Sequence, residues 1–341
     1  MSVRKIGLFL LGLSCLAALI YHLGYDQVQT TLTALSLQQF VILCLLQTGT
    51  LLAGAWLWHF LVSQKVRISF WQIFLINQAA SLVESLTPSV KLGGEAAKVF
   101  LLRQRTRQDY SSLTGILLLH KLLTLGPFLF LSLLIFWPAL HMLQLPPVFY
   151  LSLPVLVFAL IVLIIFCFPQ AQTGQNPQTA SNQPDFQDNL KSMALLIGKI
   201  RLFLSAARRT AAGLLTPAQT LGLLSLSLLI WLFYPLKVYL VCVFLGLETG
   251  FVLIALATIS AYLISMLPLL PGGLGTYEGT MTLALTLGGL SPAEGLSISL
   301  LSQAMTFWFP LLLAAGASLI LAWEGLAFKK TDPHFTRDPC P

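Results

Sequence analysis

The chain of 341 residues is 57% hydrophobic and only 9% charged, whereas a soluble domain is roughly half apolar and a quarter charged. That balance excludes a soluble domain and points to a polytopic membrane protein. The formal net charge of +7 is accounted for by orientation in a membrane and attraction to anionic headgroups, so it calls for no nucleic-acid partner.

Crossing about 30 Å of hydrocarbon takes about 20 helical residues. Apolar stretches of that size occur at 6–23, 39–62, 111–138, 147–168, 217–246 and 297–323, and six full spans are predicted. Arg4 and Lys5 precede the first, which makes a cleaved signal the alternative there. No small-x-small cleavage site stands out, so an uncleaved span is expected. Cys15, Cys44, Cys167 and Cys242 fall inside apolar spans without CxxC or metal-ligand spacing and are read as packing residues. Between the fourth and fifth spans, 169–216 forms a connection that opens with the polar tract AQTGQNPQTASNQPDFQDN, expected to be flexible. Leu190 to Ala212 then mixes Lys191, Lys199, Arg201, Arg208 and Arg209 with Leu, Ile and Phe in a helical rhythm. It reads either as an interfacial helix or as an ordinary cytoplasmic one.

Basic residues orient the spans. Of the 19 Lys and Arg, fifteen lie before the first span, after the second, at 103–107, in 169–216 or after the last. The alternate connections 24–38, 139–146, 247–249 and 290–296 contain none, though they carry Asp26, Glu248 and Glu294. The positive-inside rule puts both termini, and the tail 325–341, in the cytoplasm.

Two regions remain, 68–108 and 250–290, each apolar and broken near its middle. One break reads SLTPSVKLGGEAAK, from Ser85 to Lys98, and the other LPLLPGGLGTYEG, from Leu267 to Gly279. Seven positions separate Pro88 from Glu95 and Pro271 from Glu278, at an offset of 183 residues. The same offset carries 39–62 onto 222–245 and 111–138 onto 294–321. An internal repeat is expected, about 39–138 and about 217–323, within a single integral membrane domain spanning 1–341. The first broken segment is flanked by basic loops and the second is not, so each returns to the side it came from. The predicted fold is therefore all-α, with about six transmembrane helices and two re-entrant helical hairpins in an inverted-topology repeat. Two tight pairs of spanning helices are the alternative.

The second arm of each hairpin starts just past its breaker, so unpaired amides and the positive end of the helix dipole meet there, an arrangement that suits an anion such as a phosphate headgroup. Gly93 and Gly94 in one tip, and Gly272, Gly273 and Gly275 in the other, would let a headgroup approach the backbone. The four remaining cations, Lys91, Lys98, Lys121 and Lys237, fall within or close to membrane depth, where each needs a carboxylate, a wet cavity or an anionic ligand. Glu84, Glu95 and Glu278 are the carboxylates nearby in sequence. Lys121 and Lys237 are candidate headgroup ligands, with ion pairing to a glutamate as the structural alternative. His120, next to Lys121, reads as a packing residue ahead of a proton carrier.

At these two hairpins the chain resembles the lysylphosphatidylglycerol synthase transmembrane region family, the flippase-like domain proteins. The likeness rests on Pro88, Gly94, Glu95 and Lys98, on Lys121 early in the next helix, and above all on Pro-Gly-Gly-Leu-Gly-x-x-Glu from Pro271 to Glu278. Lys98 and Lys121 stand where the family more often has Arg, which keeps charge but loses bidentate phosphate geometry. Ser302 and Gln303 occupy a place in the last helix that is frequently basic in the family. The family's aminoacyl-lipid synthases carry a large cytoplasmic catalytic domain, and no connection here is long enough to be one. The resemblance implies a flippase that moves an anionic phospholipid or lipid-linked substrate, including a polyprenyl-phosphate one, between leaflets of a bacterial inner membrane. No cofactor and no metal are expected, since no metal-ligand spacing appears, and a cytoplasmic transferase is left open as a partner. An integral-membrane enzyme or accessory subunit modifying a lipid-linked substrate is the alternative, although no Ser-His-Asp order, HExxH or DxxD set supports it.

Overall fold

A computed structural model describes residues 29–30, 33–86, 92–142, 213–267 and 271–331. The spans expected at 6–23 and 147–168, residues 169–212 of the connection with its amphipathic stretch, the tail past 331, and Pro88 and Lys91 lie outside these residues. All the secondary structure among the described residues is helical. The order is α1 (Leu37–Ser63), α2 (Phe70–Leu86), α3 (Leu92–Thr106), α4 (Tyr110–Met142), α5 (Pro217–Phe244), α6 (Phe251–Ser265), a 3₁₀ turn (Pro271–Gly273), α7 (Thr276–Leu287), α8 (Pro292–Gln303), a π-helical turn (Ala304–Trp308) and α9 (Phe309–Thr331).

The helix starts are written locally. Ser36 and Gln39 cap α1 reciprocally: Ser36 N–H donates to Gln39 Oε1 at 2.9 Å and Gln39 N–H to Ser36 Oγ at 3.3 Å. Thr216 and Gln219 repeat the box on α5, and Ser291 and Glu294 on α8, both with Pro at the first helical position, where a missing N–H costs nothing. That third box opens α8 at Pro292, so the connection expected to run to residue 296 ends early. From there α8, the π turn and α9 run on as one apolar helix.

Among the described residues, four helices are long and apolar enough to cross a membrane: Leu37–Ser63, Ser112–Phe136, Pro217–Phe244 and Pro292–Trp323. They match four of the six expected spans. Their outward faces carry exposed Leu45, Trp56, Phe130, Leu133, Leu221, Leu312 and Leu319, side chains at home against lipid. The arms of the broken segments are shorter, at 17, 15, 15 and 12 residues for α2, α3, α6 and α7.

Two apolar clusters lie toward opposite ends of the bundle. One joins Trp58, Leu61 and Val62 of α1 with Ile73, Leu102, Leu113 and Leu215, and with Val66, Ile68 and Leu321 at its edge. Beside it are the connection that bears Lys65 and Arg67, the last turn of α3 with Arg103 and Arg105, and Arg107 just past it. The other joins Leu43, Val241, Cys242, Ile254, Leu285 and Ile298, with Leu245, Leu247 and Leu290 at its edge. Its connections, 245–250 and 288–291, hold no Lys or Arg. Each hairpin thus begins and ends at one end of the bundle, α2 and α3 at the basic end and α6 and α7 at the other.

Packing crosses between halves. α2 lies along α9 and touches the Pro271–Gly273 turn, α6 lies along α4 and α5, α1 lies along α5, and each hairpin's arms pack on each other.

Candidate functional site

The first hairpin's second arm opens with Gly93, Gly94 and Glu95. Gly93 is half-buried and Gly94 buried. A Cβ at Gly94 would stand 2.8 Å from Glu84 Cβ and 3.0 Å from the Ala80 carbonyl oxygen, so this glycine lets α3 close on α2. The room expected for a headgroup at Gly94 is taken by Glu84. Glu95, 4% exposed, holds two cations on one oxygen. Lys98 Nζ, one turn along α3, donates to its Oε1 at 3.4 Å, and Lys121 Nζ reaches across from α4 to the same atom at 2.5 Å. The second oxygen, Oε2, has no hydrogen-bond partner among the described residues. The Lys121 side chain is 24% exposed, the Lys98 side chain 10%. His120 is buried with its ring edge-on to Trp58, centroids 4.9 Å apart, as a packing residue would be, although its Nδ1 has no partner among the described residues.

The second tip is built by backbone conformation. Gly272, Gly273 and Gly275 have φ of 65°, 69° and 82°, the left-handed region that costs any other residue about 1–2 kcal/mol. The space beside them is also filled. A Cβ at Gly272 would lie 2.7 Å from Phe307 Cζ in the π turn, and one at Gly273 would lie 2.7 Å from Ser265 Cβ. Thr276 Oγ1 donates to the Gly273 carbonyl at 2.9 Å, and Gly275 N–H donates to Glu278 Oε2 at 2.7 Å, so the glutamate caps its own helix. Glu278 is 0% exposed and its Oε1 has no partner among the described residues.

Lys237, read as a candidate headgroup ligand with a glutamate partner as the alternative, meets no carboxylate among the described residues. Fully buried behind Pro235 in α5, it donates to Gln47 Oε1 and, at 3.1 Å, to Thr50 Oγ1, both on α1, and sits 4.3 Å from the centroid of the Tyr234 ring. Neutral dipoles and a π face surround this amine. The structure therefore brings Glu95, Lys98 and Lys121 into one cluster, joins Gly275 to Glu278, and sets Lys237 at the α1–α5 crossing.

Aromatic residues that sequence reasoning passed over run between these places. Trp231 Nε1 donates to the Thr124 carbonyl at 2.9 Å, one turn beyond Lys121. Its ring meets Tyr234 at 5.3 Å and Tyr262 at 6.1 Å, and Tyr262 meets Tyr277 at 5.4 Å. The hydroxyls of Tyr262 and Tyr277 are buried and unpartnered among the described residues. Gln47, Thr50 and Tyr262 were detectable as polar groups inside apolar helices, where such residues mark interior faces.

The model of the lysylphosphatidylglycerol synthase TM region matches residues 5–314. The chain belongs to that family. Among curated relatives, a UPF0104 membrane protein of Methanothermobacter thermautotrophicus is 24% identical over 313 residues, covering 88% of this chain and 90% of its own. The UPF0104 membrane protein PH1989 of Pyrococcus horikoshii is 23% identical over 332 residues, covering 94% and 97%. These relatives are archaeal, and their names give membrane location without an activity. Family membership and the four apolar helices make this an integral membrane protein.

Proposed function

We propose that this family member is a lipid transporter, moving an anionic phospholipid or a lipid-linked phosphate, of the polyprenyl kind among others, between leaflets without altering it. The observation that carries the reading is Lys121, a cation in the body of an apolar helix, tied to Glu95 yet a quarter exposed. A lysine left accessible at that depth suits a mobile anion better than a purely structural lock does. Lys98, the start of α3 and the glycine-built tip ahead of α7 add donors and positive dipole ends. The headgroup would pass through this polar interior while its tails stay in hydrocarbon.

The same reading takes the two halves as an inverted-topology repeat, 39–138 and 217–323, with re-entrant hairpins. Arm length supports it, since the longest described arm, α2, rises about 25 Å, against about 30 Å of hydrocarbon. The basic connections at one end of the bundle support a cytoplasmic side there, with both termini on it, in a cytoplasmic membrane of the bacterial type. The recurrent order of long helix, two short arms and long helix supports the repeat.

The test is reconstitution in vesicles with fluorescent phosphatidylglycerol. Movement without chemical change, reduced in Lys121→Ala while folded protein in the membrane is retained, is the expected result. A chemically altered lipid would instead support an enzyme acting on lipid-linked substrates, and no movement of any anionic lipid would overturn the proposal.

A further inference from the structure

The two hairpin glutamates occupy matching places and receive opposite treatment. Glu95 has two lysines. Moving 183 residues along, the counterparts of Lys98 and Lys121 are Met281 and Ala304, and the counterpart of His120 is Gln303. The carboxylate is kept at Glu278 and its cations are absent. Glu278 is 0% exposed, its Oε2 accepts one backbone N–H, and its Oε1 has no partner among the described residues.

The groups packed around α7 supply no described counter-charge. On α7 itself the neighbour is Tyr277, and on α6 it is Tyr262. On α8 the acidic Glu294 sits at the exposed start of the helix, bonded to Ser291. The π turn brings no ionisable group. On α5, Lys237 is committed to Gln47 and Thr50, and Tyr234, Tyr239 and Cys242 have no cationic form to offer. Glu84 lies on α2, which touches the tip, and is itself acidic. The α7 dipole, equivalent to about half an elementary charge, offsets only part of a whole one, and an uncompensated charge in a dry interior neutralises instead.

We propose that Glu278 is a proton-binding site. In the conformation described, the proton sits on Oε1 of a neutral carboxylic acid. When the tip moves and water reaches it, the O–H bond breaks, the proton passes to water, and the carboxylate is left solvated. Reprotonation from the other side completes a cycle in which lipid movement, on the transport reading above, is driven by the proton gradient. Gln303 Oε1, also buried and without a partner among the described residues, and the fully buried Ser299 and Ser302 lie on α8, which packs against α7.

Infrared spectroscopy of the whole protein in lipid nanodiscs at neutral pH tests the site without reference to any lipid substrate. The expected result is the carbonyl stretch of a protonated carboxylic acid that shifts in D₂O, disappears in Glu278→Gln and persists in Glu278→Asp. Folded wild-type protein without that band overturns the proposal. In vesicles with fluorescent phosphatidylglycerol, an imposed pH gradient should change wild-type movement by up to about tenfold per pH unit and leave Glu278→Gln at one gradient-independent rate. Wild-type movement that ignores the pH gradient, or follows a sodium gradient instead, overturns proton coupling and leaves the transport reading intact. An acid band in a protein that moves no lipid supports the proton site and counts against the transport reading.

Discussion

Replacing Gly272 by Ala loads the second tip in two separable ways. Its φ of 65° costs an alanine about 1–2 kcal/mol, and the new Cβ would stand 2.7 and 2.8 Å from Cζ and Cε2 of Phe307, an overpacking worth about 1–3 kcal/mol. The single variant should therefore lose about 2–5 kcal/mol. Phe307→Ala alone removes a half-buried ring and should cost less than the 3–5 kcal/mol of a fully buried one. In the double variant the clash is gone and the dihedral cost stays, so it should be more stable than the sum of the singles by about 1–3 kcal/mol. Apparent melting of the four proteins in one detergent, followed by loss of the monodisperse peak, closes the cycle. Additivity within about 0.5 kcal/mol would refute the contact between the π turn and the tip, and with it the view that the last helix holds the second hairpin in place.

Glu95→Gln strands Lys98 and Lys121 together, and breaking a buried pair from one side costs about 3–5 kcal/mol. Adding Lys121→Met should recover part of that loss in the same melting assay, and no recovery would count against the observed pairing. Lys237→Ala removes the lysine donor from Gln47 Oε1 and Thr50 Oγ1, which keep the bonds that Thr50 Oγ1 donates to Gln47, and should cost about 1–3 kcal/mol. Gln47→Leu should therefore couple to it, whereas Glu278→Gln should not. Single cysteines at Val66 and Arg105 should react only with reagent on the cytoplasmic side and those at Glu248 and Gly289 only from outside. Labelling of a cysteine at residue 180 from outside would break the charge argument for orientation.

Helix existence was legible because composition and length dictate it. The spans expected at 39–62, 111–138 and 217–246 fall within a few residues of Leu37–Ser63, Tyr110–Met142 and Pro217–Phe244. The start of α8 was encoded too, in Ser291, Pro292 and Glu294, but apolar length alone could not see it, since a capping box is a signal of side-chain reach. The π turn was hidden for a different reason: one extra residue in a backbone ring leaves no mark on hydrophobic periodicity. At the site, the pair Glu95 and Lys98 could be read from helical spacing, three residues apart on one face. Lys121 on Glu95 needed the α3–α4 packing, and Lys237 on Gln47 needed a crossing of helices 190 residues apart in the chain. The glycines were read as room for a ligand. The structure shows Gly94, Gly272 and Gly273 each closed over by a neighbour, so their missing side chains serve close packing and left-handed turns in this conformation.

The two halves share helix order and differ in chemistry, and the packing explains how both can matter at once. α2 rests on α9 and on the Pro271–Gly273 turn, while α6 rests on α4 and α5. Neither hairpin can shift without disturbing a helix of the other half. On the charged side, Lys121 sits one turn from Thr124, whose carbonyl accepts from Trp231, and the ring contacts from Trp231 through Tyr262 to Tyr277 end beside Glu278. A headgroup that drew Lys121 from Glu95 would disturb that aromatic row at its near end, and a change of charge at Glu278 would disturb it at the far end. Lysines on Glu95 at one end and Glu278 at the other thus give a single packed row two chemically distinct handles.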